Sequence, residues 1–289
     1  MSSIRRITKQ NKEYPRLLKE IFKPPALYVR GNFNKADDFA LAVVGTRKPT
    51  YYGQQTADKI VYDLAQSGLT IISGLALGVD TIVHKTTLKA GGRTIAVLGA
   101  GVDDKSLYPQ ENRKLALKIE KSGAVISEYP LGTSAKPGYF PQRNRIISGL
   151  ALGTLVIEAG FKSGALITAH CALDQNREVF CVPGSIFSEK SAGANNLIKL
   201  GAKLVTSAKD ILEELNLTQS LKLFETKKII ADSPEEAKIL KFLNHEPKHI
   251  DELLKQTKLD AAVISATLSL MEIRNKIKNI GGGNYVLAR

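Results

Sequence analysis

The chain has 289 residues, 43% hydrophobic and 24% charged, with a formal net charge of +13. This length and composition suffice for one large domain and one small one, and they exclude a disordered or collagenous chain. An excess of positive charge favours a polyanionic partner. The two cysteines, Cys171 and Cys181, form neither a disulfide framework nor a metal-ligand pattern, and they read as buried free thiols in a reducing compartment. No apolar run reaches the roughly 18 residues that span a bilayer, and the N-terminus lacks the apolar region of a signal peptide. The expectation is a cytoplasmic protein with no membrane segment, no metal and no cofactor.

Residues 1–37 hold nine Lys/Arg against three Asp/Glu (9 − 3 = +6) and are punctuated by Tyr14-Pro15 and Pro24-Pro25. They are expected to form a short helix and a short strand packed on the core. Residues 38–216 follow a regular alternation: an apolar run at Ala40–Val44 ends at Gly45, and a helical pattern from Gln54 ends at Gly68. Further strands are expected near 70–74, 94–98, 124–128, 154–158, 179–182 and 203–206, with helices between most of them. Short β-rich runs separated by helical stretches are βαβ units. The fold class is α/β, a doubly wound and mainly parallel sheet.

Ligands of such sheets bind outside the carboxyl ends of the strands. Here those ends are small-residue turns, among them Gly45-Thr46-Arg47, Ser73-Gly74-Leu75-Ala76, Glu158-Ala159-Gly160 and Pro183-Gly184-Ser185. Gly45, Thr46, Ser73 and Gly74 are therefore candidate anion-cradling positions. The block from Phe140 to Leu150 places an aromatic ring and the guanidinium groups of Arg143 and Arg145 in one short span, with Lys162-Ser163-Gly164 soon after. Such a set suits gripping a phosphate backbone and stacking a base.

Other chemistries fit less well. A dinucleotide site needs G-x-G-x-x-G after the first strand, and Gly45-Thr46-Arg47-Lys48-Pro49-Thr50 lacks the second and third glycines. Gly99-Ala100-Gly101 continues into Asp103-Asp104, which places carboxylates where the pyrophosphate should sit, and no G-x-x-x-x-G-K-[ST] loop is present. Asp80 and His84 stand at i, i+4, either as a cap and a packed histidine or as an acid/base pair. Glu158 is either a buried partner for an arginine or a general base, and Ser163 either caps helix 164–176 or lends its hydroxyl to a phosphate. A nucleotide-binding or nucleotide-hydrolysing Rossmann-like enzyme, using Glu158 or Asp80, is the alternative reading.

Taken together, the motifs resemble the DNA-processing protein A family, DprA, also called Smf. The resemblance rests on Val44-Gly45-Thr46-Arg47, on Ser73-Gly74-Leu75-Ala76 with Gly78-Val79-Asp80 and His84, and on Thr94 to Gly99. It continues through Tyr108-Pro109 with Asn112, Ser127-Glu128-Tyr129-Pro130, the block from Phe140 to Gly149, Glu158-Ala159, Ser163 to Thr168 and Val182-Pro183-Gly184. It covers roughly residues 14–215 in order. It implies an extended Rossmann-like domain that binds single-stranded DNA, forms a homodimer and loads the recombinase RecA during natural transformation. By motif, Arg47 and Arg143-Asn144-Arg145 would hold phosphates, Phe140 would stack on a base, and Lys136, Lys162, Ser163 and Gly164 would add contacts. Leu77 departs from the family pattern, which often has a small or polar residue there. The chain is expected to begin too close to the core to hold the extra N-terminal helical domain of some members.

A charged, hydroxyl-bearing stretch at 217–232 is expected to be a linker. Residues 233–289 carry nine Lys/Arg against seven Asp/Glu (9 − 7 = +2). Ser233-Pro234-Glu235-Glu236 is a helix start. Helices near 234–244, 249–256 and 260–275, followed by a turn at Gly281-Gly282-Gly283, resemble a winged helix, whose third helix often enters a DNA major groove. That helix has no Arg, Lys, Asn or Gln before Arg274, so a transcription regulator working through it is disfavoured. The overall expectation is a single-stranded DNA-binding recombination mediator without catalytic turnover. Five cations, Arg47, Lys136, Arg143, Arg145 and Lys162, would give a log–log salt slope of roughly −3 to −3.5 at about −0.7 per phosphate.

Overall fold

The computed structural model describes residues 3–217, 231–243, 248–274 and 276–287. The expected linker, 217–232, lies almost wholly outside the described residues. The chain forms two compact units, Met1–Phe224 and Glu225–Arg289.

The first unit is built on a nine-stranded sheet: β1 (Arg5–Ile7), β2 (Leu27–Gly31), β3 (Ala40–Val44), β4 (Thr70–Ser73), β5 (Thr94–Val97), β6 (Ala124–Ser127), β7 (Gly153–Val156), β8 (Glu178–Cys181) and β9 (Lys203–Leu204). Their spatial order is β1-β2-β6-β5-β4-β3-β7-β8-β9. From β6 to β9 every pairing is parallel. The N-terminal segment extends the sheet as well as packing on it, because β2 pairs antiparallel with β6, and β1 pairs antiparallel with β2.

All five residues of β3 are buried, which is why its sequence is uniformly apolar: a central parallel strand has both faces covered. Ala40, Ala42 and Val44 share one core with α5 (Tyr139–Gly149), α6 (Gly164–Asp174) and α7 (Ala192–Lys199), and α1 (Arg16–Lys19) contributes Leu18 to it. Leu41 and Val43 point the other way, into a core with α2 (Tyr51–Gln66), α3 (Val79–Lys89) and α8 (Ala208–Glu214). Below β5 and β6, α4 (Arg113–Ser122) closes the same side through Leu115, Ala116 and Ile119.

Three strand positions separate β6 from β3, and β7 lies beyond β3. The β6-α5-β7 connection therefore carries α5 across the sheet, with its first turn at the carboxyl edge. The chain leaves β3 for α2 on one face and leaves the adjacent β7 for α6 on the other. Such a divergence opens a crevice at the carboxyl ends of the two strands.

The second unit packs α9 (Pro234–Phe242), α10 (Ile250–Thr257) and α11 (Ala261–Ile273) around Ile239, Leu253, Ile264, Leu268 and Met271. Ser233 caps α9 by accepting the Glu236 N–H, and proline holds the first helical position. A three-stranded antiparallel sheet, β10 (Lys248–His249), β12 (Asn284–Leu287) and β11 (Ile277–Asn279) in spatial order, completes a winged helix.

Candidate nucleic-acid interface

The turn after β4 shapes the floor of the crevice. Gly78 has φ +85°, and a Cβ there would lie 2.5 Å from the Arg47 backbone, so this close approach requires glycine. The Asp80 carboxylate accepts the N–H groups of Gly74 (3.1 Å) and Ala76 (3.3 Å). Asn112 ties the same turn down from the other side, donating to Leu75 O at 2.8 Å and to Thr81 Oγ1 at 2.7 Å. Asp80 is thus spent on a backbone turn, and burial raises its pKa against the opposing charge of Arg143.

Arg143 lies beneath this turn. It is 4% exposed and donates to the carbonyl oxygens of Gly74 (2.8 Å) and Val97. Glycine at 74 is what admits it, since a Cβ there would lie 2.5 Å from the guanidinium. Burial pushes its pKa down to about 10, with the Asp80 carboxylate resisting. The residue lines the crevice from below, but most of its donors are already used. Asn144, also buried, donates to Gly164 O at 3.3 Å and joins the start of α6 to α5.

Above this floor sits Phe140, in the first turn of α5 beside Gly99. Its ring lies 5.9 Å from that of Tyr108, tilted by 48°, and the Arg47 guanidinium carbon stands 5.4 Å from its centroid. Arg47, Tyr108, Phe140, Arg143, Asn144 and Thr168 are among the residues lining an open cleft of about 400 Å³, with Gly164 and Ala165 on its α6 side. Arg47 is exposed, and among the described residues it has no carboxylate partner. Phe140 is half-buried, with tyrosine and arginine as neighbours: a stacking surface beside a free cation.

The remaining expected site residues are distributed unevenly. Arg145 does not face the cleft. It ion-pairs with Glu128 and donates to Lys23 O, because two residues along a helix is more than half a turn and sends its side chain toward the N-terminal segment. Lys136 is exposed, with its ammonium 5.7 Å from the Tyr139 ring, which stacks on Tyr129 with centroids 4.1 Å apart. Lys162 is exposed at the turn before α6. Ser163 caps α6 by accepting the Ala165 N–H at 3.3 Å, and open space surrounds Gly164. Thr46 and Gly45 form the β3 turn, where Thr46 N–H donates to Glu158 O, whereas Ser73 is buried and donates to Val43 O.

Two possible catalytic groups turn out to be structural. The Glu158 carboxylate caps α2, accepting both the N–H and the hydroxyl of Thr50 at 2.8 Å. His84 is buried and contacts Thr94 Oγ1 through Nδ1 at 2.7 Å, and burial drives its pKa down to about 3, so the ring is neutral. Among the described residues no group of His, Cys, Asp and Glu is arranged to hold a metal ion, and no helix is long and apolar enough to cross a membrane. Tyr108 stands in the sequence only as part of the Tyr108-Pro109 motif, and its proximity to Phe140 is a tertiary fact.

In the second unit the outward face of α11 carries Val263, Ala266, Leu270 and Ile273, all exposed. Arg274 pairs with Asp232 at 2.6 Å.

Fold and site thus define a class: a Rossmann-like α/β protein with an aromatic and cationic cleft at its switch point, followed by a winged helix. Residues 5–216 match the family model for DNA recombination-mediator protein A, and residues 225–283 match that for the DprA winged helix domain. The chain belongs to the DprA/Smf family. It is 44% identical over 207 residues to DNA processing protein DprA of Bacillus subtilis, covering 71% of this chain and 69% of that one. It is 36% identical to protein Smf of Synechocystis, over 96% of this chain and 79% of the other. The crystal structure of DprA from Streptococcus pneumoniae superposes with a TM-score of 0.69 at 41% identity, covering 73% of this chain and 74% of that one. A structure of DprA from Helicobacter pylori, described for its single-stranded DNA binding mode, gives a TM-score of 0.64 at 30% identity, over 71% and 94% of the two chains.

Proposed function

We propose that the chain binds single-stranded DNA along the carboxyl edge of its sheet, without catalytic turnover, as a recombination mediator. The observation that carries this reading is the Phe140 ring held between Tyr108 and the unpaired Arg47 at the mouth of an open cleft. Base stacking on aromatic rings beside backbone-tracking cations is how single strands are held without regard to sequence. The relative from Helicobacter pylori, named for single-stranded DNA binding, supports the same assignment. Of the site cations expected from sequence, Arg47, Lys136 and Lys162 are free to meet phosphates, and Arg143 with Asn144 supports the floor. Glu158 and Asp80, the carboxylates an enzyme would need, are consumed by backbone amides. Action in natural transformation, delivery of the strand to the RecA recombinase and homodimerisation belong to the same proposal, and family membership supports them.

Titration with labelled single- and double-stranded oligonucleotides of one length, at several salt concentrations, tests the reading. Single strands should bind more tightly, with a log–log salt slope near −2, about −0.7 for each of three cations. Equal or tighter binding of duplex refutes it.

A further inference from the structure

We propose that a strand held at Phe140 continues along the carboxyl edge onto a second stacking ridge formed by Tyr51, Phe161 and Phe187. This rests on the single-strand reading above and extends it. The three rings are 75%, 69% and 92% exposed; Tyr51 opens α2 after β3, and Phe161 and Phe187 lie on the connections that follow β7 and β8. One exposed aromatic needs no explanation, but three on adjoining segments do.

The loops are fastened to one another. Tyr52 Oη donates to Pro183 O at 2.7 Å, Lys190 Nζ donates to Lys48 O at 2.7 Å, and a Cβ on Gly160 would lie 3.0 Å from Glu189 O. Turns 45–50, 158–163 and 183–190 therefore present one continuous surface, directly beyond the cleft in sheet order. Lys48 and Lys162 are exposed in the same turns. Of the carboxylates in these turns, Glu158 is buried under α2 and Glu189 is exposed.

Rings accompanied by lysines suit a single strand better than a protein, because protein interfaces are enriched in aromatics but depleted of lysine. The scale agrees. From β5, beside Phe140, to β8 is four strand spacings of about 4.8 Å, roughly 19 Å. At about 3.4 Å of rise that is roughly six nucleotides.

The ridge therefore makes affinity depend on strand length. The chain contains no tryptophan, so Phe187→Trp in the full chain introduces a single indole reporter. Binding of (dT)12 should quench it, and a Phe161→Ala/Phe187→Ala variant should lose at least fivefold affinity for (dT)12 with less than a twofold change for (dT)4. Phe140→Ala should weaken binding of both lengths. An unquenched indole together with wild-type (dT)12 affinity in the double variant, beside a weakened Phe140→Ala, overturns the ridge alone. An unchanged Phe140→Ala, or a wild-type chain that binds neither oligonucleotide, overturns the underlying site reading and the ridge with it.

Discussion

The carboxyl edge of the sheet and the outward face of α11 are the two surfaces at which these folds usually meet nucleic acid, and here they are made of opposite materials. The edge presents Arg47, Lys136 and Lys162 beside exposed or half-exposed rings. The helix face presents Val263, Ala266, Leu270 and Ile273, and the nearest guanidinium, Arg274, is committed to Asp232. Non-specific affinity for a polyanion is mainly electrostatic, so a winged-helix fold without free cations on its third helix lacks that source of binding. An apolar helix face of this kind suits packing against protein. Fold resemblance names a candidate surface; the charges on it decide what it binds.

The sharpest break of this comparison starts at the floor of the cleft. Arg143→Ala removes a buried cation, leaving Gly74 O and Val97 O without their donor and Asp80 without its neighbouring positive charge. Denaturant melts of the first unit should show a loss of about 3–5 kcal/mol, as for other broken buried charge pairs. A wild-type melt would return Arg143 to the solvent side of the site.

Acid should weaken the first unit next, through His84. His84 is neutral in the folded first unit, with a pKa of about 3 against 6.5 when unfolded. The unfolded chain binds the extra proton, so the stability it contributes is complete above pH 6.5 and is lost as pH falls toward 3. By pH 5 the loss is about 2 kcal/mol. A His84→Asn variant should show a flatter pH profile of first-unit stability.

Within the cleft, stacking and charge are separable. Phe140→Ala should cost about 1–3 kcal/mol of single-strand affinity and leave the salt slope unchanged. Arg47→Ala should move the slope by about 0.7, from near −2 toward −1.3. If Phe140→Ala flattens the slope instead, its ring is acting by positioning Arg47.

The smallest expected effect lies in the second unit. Removal of residues 225–289 should leave single-strand affinity within threefold, about 0.65 kcal/mol, and alter a protein contact or self-association if it alters anything. A tenfold loss from a truncated, folded and equally associated protein would place α11 on the DNA.

Much of this was readable before the structure. Strand and helix order followed from apolar runs ending in glycine, because a parallel sheet buried on both faces demands apolar strands and its turns demand small residues. Ser233 signalled a helix cap, and Ser163 either a cap or a phosphate contact, for local hydrogen-bonding reasons. What local pattern could not reveal was the fate of each polar side chain. Arg143 and Arg145 stand two residues apart with the same charge, yet one is sealed under the β4 turn and the other is paired with Glu128. Asp80, Glu158 and His84 carry catalytic chemistry in isolation and structural roles in place. Tyr108 became part of the site only because α5 crosses the sheet to bring Phe140 beside it. The sequence by itself determined the elements, their order and the total charge, since these depend on neighbours along the chain. The tertiary structure alone decided which charges remain free, because burial and pairing depend on neighbours brought together across the sheet.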